Sequence, residues 1–136
     1  MSDLFDKFLH DRGGKGEELF FLNIGAMDGV LFDELGGYTH RYGFKGLFVE
    51  PIPYLFERLK KNWDNGKNLF ENCAISDYNG EIEMITIDQD AIDSGEVHNC
   101  FYGMSAVYPP KNGLGSEFDR PTVEQYGKRI VVPCIT

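Results

Sequence analysis

Short apolar runs alternate along the chain with polar, glycine-marked breaks, and the length of each run predicts its element. Leu19, Phe20, Phe21, Leu22, Asn23 and Ile24 make a run too brief for a helix, and Gly46, Leu47, Phe48 and Val49 make a second. Both predict strands. Between them Phe32 to Tyr42 is expected to be a crossover helix, in which Gly36 and Gly37 each cost about 1 kcal/mol relative to alanine. Over Pro51 to Trp63 the residues Ile52, Leu55, Phe56, Leu59 and Trp63 form one stripe. Pro53 suits a first turn there, and Arg58, Lys60 and Lys61 suit the end of a helix. Leu69 to Ser76 predicts a third strand. Strand, helix, strand, helix, strand implies an α/β unit with a parallel three-stranded core and right-handed crossovers.

The flanks follow other patterns. Leu4, Phe5, Phe8 and Leu9 recur at helical spacing, which predicts a short amphipathic helix over residues 3–11, docked on the sheet edge and ended by Gly13-Gly14-Lys15-Gly16. Asp77-Tyr78-Asn79-Gly80 is a tight-turn signal before the alternating stretch 81–88, read as an antiparallel addition. Gln89 to Lys128 is rich in Gly, Pro, Asp and Asn with little periodicity and is expected to be a long loop region. Arg129 to Thr136 looks like a last strand.

With 136 residues and 42% hydrophobic content the chain fits a single domain over 1–136 with a real core. A formal net charge of −9 argues against a nucleic-acid backbone or an anionic membrane as partner, because both would be repelled. A small neutral or cationic ligand is easier to accommodate. No apolar segment approaches the roughly 20 residues that span a bilayer, and the N-terminus lacks a signal-peptide pattern, so a cytoplasmic location is expected. Cys73, Cys100 and Cys134 are odd in number and widely separated, which does not make a disulfide framework. His98-Asn99-Cys100 has no partner pair at metal-ligand spacing, and Asp88, Asp90 and Asp93 do not match a calcium loop, so no metal is expected.

The candidate chemistry lies at the ends of the first two strands. Gly25-Ala26-Met27-Asp28-Gly29 directly follows the first, and its glycines suit a turn that needs positive φ and a ligand lying against bare backbone. The helix expected after the loop would aim amide N–H groups at a carboxylate or phosphate. Glu50 ends the second strand about 20 residues further on, the interval at which a carboxylate reaches a ribose in dinucleotide-type folds. The dinucleotide pattern G-x-G-x-x-G itself is absent, since Met27 stands at its middle glycine. An ordinary strand-to-helix turn and a charge near a helix start would also account for these residues singly.

Phe21-Leu22-Asn23-Ile24-Gly25-Ala26-Met27-Asp28-Gly29, then Gly46-Leu47-Phe48-Val49-Glu50-Pro51, Leu59-Lys60-Lys61-Asn62 and Asn72-Cys73-Ala74-Ile75-Ser76, in this order and spacing, resemble the FkbM family of S-adenosylmethionine-dependent methyltransferases. The resemblance covers roughly residues 19–88, and Gly103-Met104-Ser105 and Val132 to Thr136 are similar to later family segments. It implies a Rossmann-like class I methyltransferase fold, S-adenosylmethionine as cofactor, and O-methylation of a small molecule or sugar. It assigns Gly25, Ala26 and Gly29 to the methionine part of the cofactor, Glu50 to the ribose, Pro51 and Ile52 to an adenine face, and Ala74, Ile75 and Ser76 to the adenine edge. Asn23 stands where such folds usually carry an acidic residue. The family pattern continues with another strand beyond Thr136, so the chain reads as the front half to two-thirds of a domain, C-terminally incomplete.

Methyl transfer asks the protein for positioning and, where the acceptor needs it, a general base. Asp28, His40, Asp77 and His98 are the candidates, and only Asp28 is placed at the crevice by the sequence, where capping the next helix is its alternative role. The catalytic residue is unassigned. Two other classes stay open: a non-catalytic cofactor-binding fragment, whose open sheet edge would favour homo-oligomers, and an NAD-type oxidoreductase, against which Met27 counts.

Overall fold

A computed structural model of the chain describes residues 3–31, 35–111 and 113–136. They gather into two compact units, one holding the chain up to Glu50 together with Leu55–Glu71, the other holding Pro51–Tyr54 and Asn72–Thr136.

The first unit contains α1 (Asp3–Gly14), β1 (Phe20–Ile24), α2 (Gly36–Tyr42), β2 (Lys45–Val49), most of α3 (Pro53–Trp63) and β3 (Leu69–Glu71). Its sheet is parallel in the order β1-β2-β3, with Leu22 opposite Leu47 and Leu47 opposite Leu69. The apolar stripe of α3 buries Leu55, Leu59 and Trp63. Leu59 and Trp63 close over Phe48 and Ala26, with Phe21, Phe56 and Phe70 around them. Phe48 meets Phe21 edge-on at 5.1 Å and stacks on Phe70 at 5.5 Å, geometries that add to plain burial. A Cβ on Gly46 would overlap the Phe21 ring, so glycine lets the two strands carry aromatics on this face. Asn68, also buried, ties the layer together by accepting from the Gly46 amide at 3.2 Å and donating to the Trp63 carbonyl at 3.1 Å.

The opposite face of this sheet is open. Phe20, Leu22, Ile24 and Leu69 are 64%, 59%, 54% and 58% exposed, whereas parallel sheets are usually covered on both faces. Among the described residues β1 pairs with β2 alone.

Helix α1 runs on through Gly13 and Gly14 and packs on α2: His10 Nδ1 lies 2.7 Å from the Tyr42 hydroxyl, Tyr38 donates to Asp6, and a Cβ on Gly13 would strike the Tyr42 ring. Among the described residues the expected crossover helix is α2. It begins at Gly36, so the two glycines fall in its first turn and not its interior. Phe32, Asp33 and Glu34 lie outside the described residues.

The second unit contains β4 (Ala74–Ile75), β5 (Gly80–Ile87), α4 (Gln89–Asp93), β6 (Ser105–Val107), α5 (Arg120–Tyr126) and β7 (Gly127–Ile135). Its mixed sheet has the order β4-β7-β5-β6; β5 is antiparallel to β7 over its whole length and to β6, while β4 is parallel to β7. The antiparallel addition expected at 81–88 is present.

Two expectations need correction. Leu69–Ser76 is not one strand: β3 and β4 belong to different sheets. At the break, Asn72 turns its side-chain amide onto the Pro51 carbonyl at 3.2 Å, and Cys73 is buried. Gln89–Lys128 is not a plain loop but carries α4, two 3-10 turns, β6 and α5. Polar caps start α4 and the first 3-10 turn, since Asp88 accepts from the Asp90 amide and His98 from the Cys100 amide. Burial of Ala91, Ile92, Val97, Phe101 and Leu114 with Ile85 and Ile87 holds them. No helix of the described residues is long and apolar enough to cross a membrane.

Candidate cofactor site

At the carboxyl end of β1 the backbone reverses through three left-handed residues, Gly25 (φ 73), Met27 (φ 52) and Gly29 (φ 72). The amides of Gly25 and Ala26 both donate to the Val49 carbonyl, at 2.9 and 3.1 Å, and the Gly29 amide closes the turn on the Ala26 carbonyl at 2.9 Å. The loop is therefore hung from the end of β2.

Met27 is the costly residue, because a side chain in the left-handed region loses about 1–2 kcal/mol. Its amide donates to Glu50 Oε2 at 2.8 Å. Glu50 is 3% exposed, and a hydrogen bond to a charged group contributes about 1.5–3 kcal/mol, enough to offset the strain. The Glu50 amide in turn donates to the Glu71 carbonyl at 3.1 Å, extending the β2–β3 pairing by a residue. Sequence spacing put Glu50 near the loop; the structure joins the two directly.

Asp28 is 8% exposed, and its Oδ1 accepts from the amides of Val30 (3.0 Å) and Leu31 (2.9 Å). This is a capping geometry, and the next helix of the described residues, α2, starts at Gly36. The Val30 and Leu31 amides, just past the loop, are thus directed at Asp28.

From the far side, the end of α3 clamps the loop. Asn62 Nδ2 donates to the Asp28 carbonyl at 2.9 Å, and Trp63 Nε1 donates to the Gly29 carbonyl at 2.6 Å. A Cβ on Gly29 would stand 2.5 Å from Trp63 Nε1 and 2.7 Å from Leu59 Cδ1, whereas one on Gly25 meets nothing within 4 Å. Gly29 is accounted for by packing. Gly25 is the glycine beside which backbone can be approached. Ala26 turns its methyl into the core with Phe48 and Trp63. Asn23, partly buried, lies opposite Phe48 in the register and shares the face of Phe21.

Asn23, Gly25, Ala26, Asp28, Gly29 and Glu50 all belong to the first unit, and Pro51, Ile52, Ala74, Ile75 and Ser76 to the second. There Ile52 is 1% exposed, Ala74 and Ile75 pair with Cys134 and Ile135 in β7, and the Ser76 amide donates to the Ile135 carbonyl at 2.8 Å. Of the candidate bases, exposed His40 stacks on the Trp63 indole at 4.7 Å, Asp77 accepts from the Ser76 hydroxyl at 3.3 Å, and His98 caps its own turn. Among the described residues no three or more His, Cys, Asp or Glu side chains gather to hold a metal ion.

Sequence reasoning missed Met27, Asn62 and Trp63 as parts of the site. A non-glycine residue in a left-handed turn leaves no sequence signal, and Trp63 reads equally well as core. Comparisons with protein-family models, with curated proteins and with solved structures found no match to this chain.

Proposed function

We propose that the chain is a Rossmann-like, S-adenosylmethionine-binding unit of the FkbM type that serves O-methylation of a small molecule or sugar in the cytoplasm. One observation carries this reading: the glycine loop after β1 is joined through the Met27 amide to a buried acid at the end of β2. The parallel order β1-β2-β3 supports it, because ligands of open α/β sheets sit at the carboxyl ends of the strands.

The residues present fit the ribose end of such a cofactor. Gly25 offers backbone with open space where a side chain would stand. Glu50, oriented by the Met27 amide, is an acceptor for the two ribose hydroxyls, which are neutral donors suited to a desolvated carboxylate. The cofactor supplies an electrophilic methyl group on a sulfonium. The chain's part is to fix the adenosyl portion so that the methyl group meets the acceptor oxygen in line. The net charge of −9 favours a cationic ligand. A dinucleotide is disfavoured, because the Val30 and Leu31 amides that would receive a pyrophosphate are taken by Asp28.

Calorimetry of the chain with S-adenosylmethionine, S-adenosylhomocysteine and NAD tests the reading. Binding of both adenosyl compounds and not NAD is expected. Binding of NAD alone, or of none of the three, overturns it.

A further inference from the structure

The second unit contains a cavity of about 270 Å³ that shares only Ile52 with the residues assigned to the cofactor. Its walls are mainly apolar, with Ile52, Ile87 and Ile130, and its polar lining includes Thr86, Asp88, Gln89, Asp90, Lys128 and the Tyr54 hydroxyl. Most of that polarity is satisfied within the chain. The Thr86 hydroxyl donates to the Met104 carbonyl at 3.3 Å, and Asp88 accepts from Lys128 Nζ at 2.8 Å and from the Asp90 amide at 3.1 Å.

Gln89 differs. Its Nε2 donates to Asp93 Oδ1, which fixes the amide, since the flipped orientation would set its oxygen against a carboxylate. Its Oε1 is buried and has no hydrogen-bond partner among the described residues. A buried carbonyl oxygen left so is a site of unmet hydrogen bonding, and a few placed polar groups in apolar walls are the ordinary make-up of a small-molecule site.

We propose that this cavity binds a compact, mainly apolar ligand, no larger than a bicyclic ring, that donates one N–H or O–H hydrogen bond to Gln89 Oε1. The apolar walls select the ring and the buried Gln89 acceptor selects the donor. The only cation of the lining, Lys128, is already paired with Asp88, so an anionic ligand meets no free positive charge there. The site rests on the cavity alone and stands whether or not the chain binds S-adenosylmethionine.

The test is a methyl-detected NMR titration of the full chain with indole and with benzothiophene, which has the same shape but no N–H. Indole is expected to give saturable shifts at the Ile87 and Ile130 methyls and to bind about five- to tenfold tighter than benzothiophene, the contribution of one satisfied hydrogen bond. In Gln89→Leu, or in Gln89→Met should the first perturb folding, the two probes are expected to bind equally. Absence of saturable shifts at those methyls overturns the proposal. Equal affinities in the unaltered chain, or a preference for indole that survives loss of the Gln89 amide, does so as well.

Discussion

Gly25 and Gly29 flank the same loop with nearly the same φ, yet the structure assigns them different costs on replacement by alanine. At Gly29 three terms add. A left-handed alanine costs about 1–2 kcal/mol. Its Cβ, 2.5 Å from Trp63 Nε1 and 2.7 Å from Leu59 Cδ1, forces repacking worth about 1–3 kcal/mol. Displacing the indole also endangers the 2.6 Å bond from Trp63 Nε1 to the Gly29 carbonyl, worth about 1 kcal/mol. Gly29→Ala should therefore destabilise by about 3–5 kcal/mol, a large part of the roughly 5–15 kcal/mol that holds a domain. Gly25→Ala incurs the backbone term alone, about 1–2 kcal/mol, because no atom lies within 4 Å of its Cβ. Trp63 is the sole tryptophan, so urea unfolding followed by its fluorescence reports on this loop. Equal losses of stability in the two variants would refute the assignment of Gly29 to packing.

Other outcomes are equally open to measurement. Asp28→Ala, which deprives the Val30 and Leu31 amides of their acceptor, should cost about 1–2 kcal/mol in the same urea assay, and an unchanged midpoint would contradict the capping role. The hydrogen bond from Lys128 holds the Asp88 carboxyl below its ordinary range, helped by the Asp90 amide, and the Asp88 bond raises Lys128. Their stabilisation is therefore fully present above the ordinary aspartate value of about 3.9 and below the ordinary lysine value of about 10.4. It is lost as pH falls through the lowered Asp88 value or rises through the raised Lys128 value. The stability difference between the chain and Lys128→Met should accordingly be flat through neutral pH, and a slope there would contradict it. The open face of Phe20, Leu22, Ile24 and Leu69, beside the β1 edge, predicts self-association at micromolar concentration that Leu22→Lys relieves; sedimentation of the unaltered chain as a monomer would exclude it.

The parts of the fold legible in the sequence are those whose burial is periodic. The α3 stripe of Leu55, Leu59 and Trp63 and the runs of β1 and β2 each carry their own signal, because one neighbouring layer decides them. The break between β3 and β4 carries none: Leu69 to Ser76 has strand character throughout, and only the distant partner of Asn72, the Pro51 carbonyl, divides it. The stretch after Gln89 hid its elements for a related reason. Each is a few residues long; Asp88 and His98 cap two of them, and burial against Ile85 and Ile87, which are close in space but not in a local pattern, holds the stretch. At the site, residue types and spacing reached Glu50 and the glycine loop. They did not reach the contact between them, which depends on the left-handed turn at Met27.

Glu50 is proposed as the acceptor for a ribose. Calorimetric titration of S-adenosylmethionine into the chain and into Glu50→Gln, with folding verified through Trp63 fluorescence, tests it most directly, since glutamine keeps an oxygen for the Met27 amide while removing the charge. A loss of about ten- to hundredfold in affinity, the value of hydrogen bonds to a charged acceptor, is predicted. Unchanged affinity in a folded Glu50→Gln variant would contradict it.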